Sequence, residues 1–147
     1  MSVDVTCETV IARPLDAVWA ATTNPAHDAR WTTGVVEVRP RQPGPLAPGA
    51  EVERHSQFLG RRMVYVIRVT EVVEGRLVAM ETASGPFPMT VRYEYEPADG
   101  GTRFRIRTSG DPGGFYALAA PLVAAAVRRN INNDLATLRE WLESEGA

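Results

Sequence analysis

The chain contains no lysine; all 16 of its basic residues are arginine. A lysine Schiff base and a lysine general base are therefore excluded, and the arginine bias itself reads as the mark of a GC-rich genome. Only one cysteine, Cys7, is present, so no internal disulfide can form and a reducing cytoplasm is the expected setting. The two histidines, His27 and His55, lie far apart and form no spaced cluster with Cys7, so no metal site is expected. No apolar run approaches the ~20 residues that a membrane-spanning helix needs. The opening Met1-Ser2-Val3-Asp4 lacks the basic and apolar regions of a signal peptide, and none is expected. A net charge of -2 argues against a nucleic-acid footprint. There is no G-x-S-x-G elbow and no phosphate-binding glycine loop, and no cofactor is expected.

What is present is a pattern of alternation followed by one long helical stretch. At 147 residues the chain reads as a single domain, 1–147, large enough to bury a core without a disulfide or metal. Val3, Val5, Cys7, Thr9 and Ile11 alternate with polar neighbours, which predicts a half-buried strand. Pro14 is expected at the first position of a short helix carrying Leu15, Val18 and Trp19 on one face. Asn24 is expected to cap a second short helix running to about Trp31, with His27 exposed on it. Strands are expected at 34–40, 50–58, 62–73, 76–83, 88–96 and 102–109, joined by Gly- and Pro-bearing turns too short for parallel crossovers. In the last hairpin Met89, Val91, Tyr93 and Tyr95 share a face with Phe104, Ile106 and Thr108. The opposite face alternates glutamate and arginine, a solvated ladder.

The final helix is expected over 115–143, with Ala117, Ala120, Ala124, Val127, Ile131, Leu135, Leu138 and Leu142 at helical spacing. At ~1.5 Å per residue it would be ~44 Å long, against ~30 Å for a nine-residue strand, so it is expected to cross the sheet diagonally. Pro121 predicts a break near 120–121, and the alanine-rich first half either lies close to the sheet or leaves room for a ligand.

The order strand, two short helices, six strands, long helix resembles the START/Bet v 1-like (SRPBCC, helix-grip) superfamily. Ile11-Ala12-Arg13-Pro14 with Val18-Trp19, Trp31, Gly49, Gly85-Pro86, Tyr93 with Pro97, Gly101-Thr102 and the tail Leu135, Leu138, Leu142-Glu143 are similar to the polyketide cyclase/dehydrase-like family of small bacterial proteins. The resemblance implies an α+β helix-grip fold: a curved seven-stranded antiparallel sheet wrapped on a long C-terminal helix, with two short helices between strands 1 and 2. It implies a cavity between sheet and helix and no shared catalytic motif.

Candidate site residues follow from parity and loop placement. On strand 50–58, Arg54 and Ser56 share a side with Val52 and Phe58. Arg54 then either faces inward, where it needs a carboxylate or a ligand oxygen, or sits at a bulge or edge that returns it to water. Tyr65 and Tyr93 fall on apolar faces, as ligand-orienting groups or weak acids on one reading and as core residues on the other. Asn130 stands at the border of the helix stripe, facing cavity or solvent. Phe87, Phe115 and Trp31 belong to the loops expected at the cavity mouth. Arg128 and Arg129 are expected to flank the stripe. Three functions fit. One is binding of an apolar or aromatic small molecule, lipid- or polyketide-like. A second is a polyketide cyclase/dehydrase-type enzyme using the same pocket. The third is an interaction protein with a vestigial cavity. The expected partner is a hydrophobic small molecule, with no nucleic acid and no membrane insertion; a homodimer is left open.

Overall fold

The computed structural model describes residues 3–32, 34–111 and 120–146. Seven strands form one antiparallel sheet: β1 (Val3–Ile11), β2 (Val35–Pro40), β3 (Glu51–Phe58), β4 (Arg61–Val73), β5 (Leu77–Ser84), β6 (Met89–Ala98) and β7 (Gly101–Gly110). Their spatial order is β1-β7-β6-β5-β4-β3-β2. Strands β2 to β7 are thus a meander, and β1 returns to pair with the last of them in unbroken register, from Val3 opposite Gly110 to Ile11 opposite Thr102. Between β1 and β2 lie α1 (Leu15–Thr22), a 3-10 turn (Pro25–His27) and α2 (Asp28–Trp31). The long helix α3 spans Ala120–Glu145. Together they form the curved α+β helix-grip architecture.

Several local expectations change. Pro14 is not the first helical residue but the extended residue capping α1, with no side-chain hydrogen bond of its own. The second short helix divides into the 3-10 turn and α2, and Asn24 caps the turn by accepting from the Ala26 N–H. His27 is half-buried rather than exposed, its ring set against Trp141. The described part of α3 begins at Ala120, so Pro121 lies in its first described turn. The first residues of the expected helix, 115–119, lie outside the described residues. The closest backbone approaches of α3 are to β1 and α2. It therefore leans on one edge of the sheet and stands off from its centre.

The concave face holds the core. Phe104, Ile11, Val18 and Leu138 are fully buried, and Tyr93, Tyr95, Phe104 and Trp31 meet edge-on or tilted with centroids 5.0–6.1 Å apart, the geometry that ring quadrupoles favour. Thr22 and Tyr95 join their hydroxyls at 2.6 Å across the α1–β6 contact. The α3 stripe packs as its spacing predicts, with Ile131, Leu135, Leu138 and Leu142 buried.

The convex face carries the expected ladder, extended onto β1. Arg103 bridges Glu96 and Glu8, and Arg107 holds Asp4 with two hydrogen bonds. Arg68 and Arg41 grip Glu51. Hydrogen bonds from arginines hold Asp4, Glu51 and Glu96 below the usual carboxylate range, one from His55 does the same for Glu53, and the backbone N–H of Ala12 for Glu143. Carboxyls lowered by folding stabilise above their unfolded pKa and lose that contribution as pH falls through the folded value. The melting temperature should therefore drop as pH falls below about 4, and Glu143→Gln should flatten the drop. A midpoint constant from neutrality to pH ~3 would contradict this assignment.

Candidate functional site

The space between α3 and the sheet is a cavity of about 180 Å³. It is smaller than the few hundred Å³ expected for an enclosed ligand site, because Trp31, Met63, Met80 and Tyr93 occupy much of the concave face. Its wall is mostly apolar: Val91, Ile106, Val123 and Val127 contribute, with Phe58 from the end of β3 and Phe87 from the β5–β6 loop.

The polar exception centres on Arg54. Strand β3 alternates as its sequence requires, with Val52, Arg54 and Ser56 buried and Glu53 and His55 turned outward, where they pair with each other. Arg54 lies between Val38 of β2 and Tyr65 of β4, in unbroken pairing. The bulge that would have returned it to water is absent at this position; the irregularity of β2 falls at Val35–Glu37. The guanidinium is instead 8% exposed and donates from Nη2 to Asp28 Oδ2 at 2.7 Å.

Asp28 is the residue that the sequence reading missed. It opens α2 and is itself buried. Its signal was present: Asp28 and Trp31 are three apart, so both face the core of a short helix, and an inward Arg54 required a carboxylate. Burial lifts the Asp28 carboxyl above the usual range against the pull of Arg54. Burial is the largest influence on Arg54 and would lower its pKa, but the charge and hydrogen bond of Asp28, together with the Tyr93 and Tyr65 hydroxyls, outweigh it, and the guanidinium stays protonated. Burial also pushes the Tyr93 hydroxyl up to about 12, with Arg54 opposing and Asp28 and Asp134 adding to the rise. Asp134 was also missed. It falls on the buried stripe of α3 one turn after Asn130, and both line the cavity.

Of the sequence-derived candidates, Arg54, Ser56, Tyr65, Phe87, Tyr93 and Asn130 are brought together around this one cavity. Ser56 and Tyr65 share a hydrogen bond of 3.2 Å between their hydroxyls. Phe115 lies outside the described residues. Trp31, expected near the mouth, is a fully buried part of the wall. Asn132 and Asn133 are exposed. Arg128 flanks the stripe and donates to the Thr6 carbonyl. Among the described residues, two buried donors on residues of the cavity wall have no hydrogen-bond partner: Arg54 Nε and Trp31 Nε1. Among the described residues no group of three potential metal ligands occurs, and no helix is long and apolar enough to cross a membrane.

A long helix gripped by a curved antiparallel sheet, with a cavity between them, defines the START/Bet v 1-like class. Within it, the chain belongs to the family described as polyketide cyclase/dehydrase and lipid transport, which matches residues 2–143. Among solved structures it is similar to the protein TTHA0849 from Thermus thermophilus, with TM-score 0.84, 15% identity, and 98% of this chain and 99% of that one covered. It is similar to the Zhui aromatase/cyclase from Streptomyces sp. R1128, with TM-score 0.79, 18% identity, and coverage of 100% and 97%. A START superfamily protein from Mycobacterium smegmatis is similar at TM-score 0.78 and 13% identity, with 97% of each chain covered. At these identities the likeness is one of fold. No curated protein matches the sequence.

Proposed function

We propose that the protein binds an apolar or aromatic small molecule, lipid- or polyketide-like, in the cavity between α3 and the sheet. The observation that carries this reading is the pairing of an apolar wall with two buried donors, Arg54 Nε and Trp31 Nε1, that have no acceptor. A buried donor left unsatisfied costs about 1–3 kcal/mol. A ligand that fills the apolar space and brings an oxygen to these donors removes that penalty. The family description, which names lipid transport beside cyclase chemistry, is consistent with it. Filling the space from within tests the reading. Val127 lines the cavity and is half-buried, so Val127→Trp should weaken binding of 2-acetylnaphthalene, followed by tryptophan fluorescence, by about tenfold or more. Unchanged affinity in that variant would place any binding elsewhere.

A second reading is a cyclase/dehydrase-type enzyme. Tyr93, Arg54 and Asp134 line the cavity, with Asp28 behind Arg54, and a tyrosine held neutral beside a fixed guanidinium is suited to donate a proton to a developing enolate oxygen while a carboxylate of the wall takes the proton from carbon. Tyr93→Phe keeps the ring against Trp31 and Phe104 and removes the hydroxyl. Protein-accelerated exchange of the methyl-ketone hydrogens of 2-acetylnaphthalene in deuterium oxide, lost in Tyr93→Phe with binding retained, would support catalysis. No acceleration by the wild-type protein would oppose it.

A further inference from the structure

We infer that the cavity selects uncharged ligands bearing an acceptor oxygen, and that Asp28 sets this selection by cancelling the charge of Arg54. The inference rests on the binding reading above and names the ligand class. A lone buried arginine facing an apolar pocket would be a carboxylate receptor, since a guanidinium and a carboxylate match in charge and geometry. Here that role is already filled from behind. Asp28 contacts Nη2 at 2.7 Å, both side chains are almost wholly buried, and Asp28 is not part of the cavity wall. What remains for a ligand is a neutralised ion pair on a lining residue; Arg54 Nε and Trp31 Nε1, buried just behind the wall, still lack an acceptor among the described residues.

The remaining charges work in the same direction. Among the described residues lining the cavity, Arg54 is the only cation, whereas Asp134 is a buried acid in the wall and Glu81 an acid at its exposed rim. Tyr93 stays a neutral hydroxyl. An anionic ligand would bring a further negative charge to a buried site whose one guanidinium is already paired with Asp28, where like charges interact strongly. A ketone, ester, phenol or ether oxygen meets the same donors without that repulsion. Asp28 touches the ligand only through Arg54, so it acts as a specificity-determining residue.

The experiment uses three naphthalene probes of similar width: 2-acetylnaphthalene, an uncharged acceptor; 2-naphthoate, its anionic counterpart; and naphthalene, with no acceptor. Affinities are measured by calorimetry at neutral pH on the intact wild-type chain and on Asp28→Asn, in which the amide oxygen can still accept from Arg54 but the charge is gone. The wild type should bind the ketone at least about tenfold tighter than the naphthoate, and Asp28→Asn should bring the naphthoate up by about tenfold or more while the ketone changes by less than about threefold. Should Asp28→Asn fail to fold, Asp134→Asn removes the other buried acid and should favour the naphthoate in the same sense. Equal affinity for ketone and naphthoate in the wild type overturns the charge selection and leaves binding intact. A naphthoate affinity unmoved in the folded variant removes the role of the acid replaced. If the wild type binds none of the three, the binding reading falls and this inference with it.

Discussion

Asp28→Ala should lower the unfolding free energy by about 3–5 kcal/mol, the typical consequence of removing one partner of a buried ion pair. For a chain of this length that corresponds to a fall of roughly 6–20 °C in melting temperature. The cause lies in what is left behind. The Arg54 guanidinium cannot shed its charge, is 8% exposed, and already has one nitrogen without a partner. Without Asp28 it must remain buried and unpaired or drag β3 toward water. The double variant Asp28→Ala/Arg54→Met removes both charges and leaves an apolar chain of similar length in the same space. It should be more stable than Asp28→Ala alone, because exchange of a whole buried pair for apolar groups is often neutral or favourable. Urea unfolding of the wild type, the two single variants and the double variant closes the cycle. A loss below ~1 kcal/mol for Asp28→Ala would mean that the guanidinium finds water easily, and the pair would then be no more than a surface bridge.

The same pair shows where reading the sequence stops. Parity along β3 places Arg54 on the side of Val52 and Ser56, and alternation is a local property that any strand obeys. The choice between an inward arginine and a bulged one depends on whether a carboxylate lies within reach. Asp28 is 26 positions away in a helix of one turn, and nothing periodic links the two segments. Asp134 was closer to legible. It stands at helical spacing from Ile131 and Leu138 in the buried stripe, and only the rarity of buried acids argues against placing it inside. His27 went astray for a related reason, since its neighbour Trp141 comes from the opposite end of the chain.

The fold was far more legible, since its determinants are repeated and local. Six alternating segments with short Gly- and Pro-bearing connections admit an antiparallel meander and little else, and the strand bounds fall within a few residues of those seen. Pro14 was misplaced by one position because Pro-Leu-Asp suits both the cap and the first turn of a helix. The cavity volume was not readable at all. It depends on where α3 rests, which involves β1 and α2 from the other end of the chain, and on how far Trp31, Met63, Met80 and Tyr93 fill the space.

Gly101→Ala should cost about 3 kcal/mol or more, the upper range for forcing atoms into packed space, whereas Gly100→Ala should cost about 1–2 kcal/mol. The two neighbours are glycine for different reasons. Gly100 has φ +78° with open space around it, so alanine there meets only the strain of the left-handed conformation. At Gly101 a Cβ would lie 1.9 Å from the Ile11 carbonyl oxygen and 3.0 Å from Ala12 Cα, and neither is a side chain that can swing aside. The end of β1 would have to move, and that end is the clasp of the whole fold. Thr102 Oγ1 donates to the Arg13 carbonyl at 2.9 Å. Arg13 Nη1 donates to the Leu142 carbonyl at 2.7 Å. The Ala12 N–H donates to Glu143 Oε2 at 2.9 Å. These three bonds tie β7, the β1–α1 corner and the last turn of α3 together, and they use the residues of the Ile11–Pro14, Gly101-Thr102 and Leu142-Glu143 motifs. Displacing Ile11 should therefore loosen α3 as well as β1. Hydrogen exchange of the last α3 turns should accelerate in Gly101→Ala and not in Gly100→Ala. Equal urea midpoints for the two variants, or unaltered protection of α3 in Gly101→Ala, would show that the corner yields without strain and that the clasp does not hold the helix.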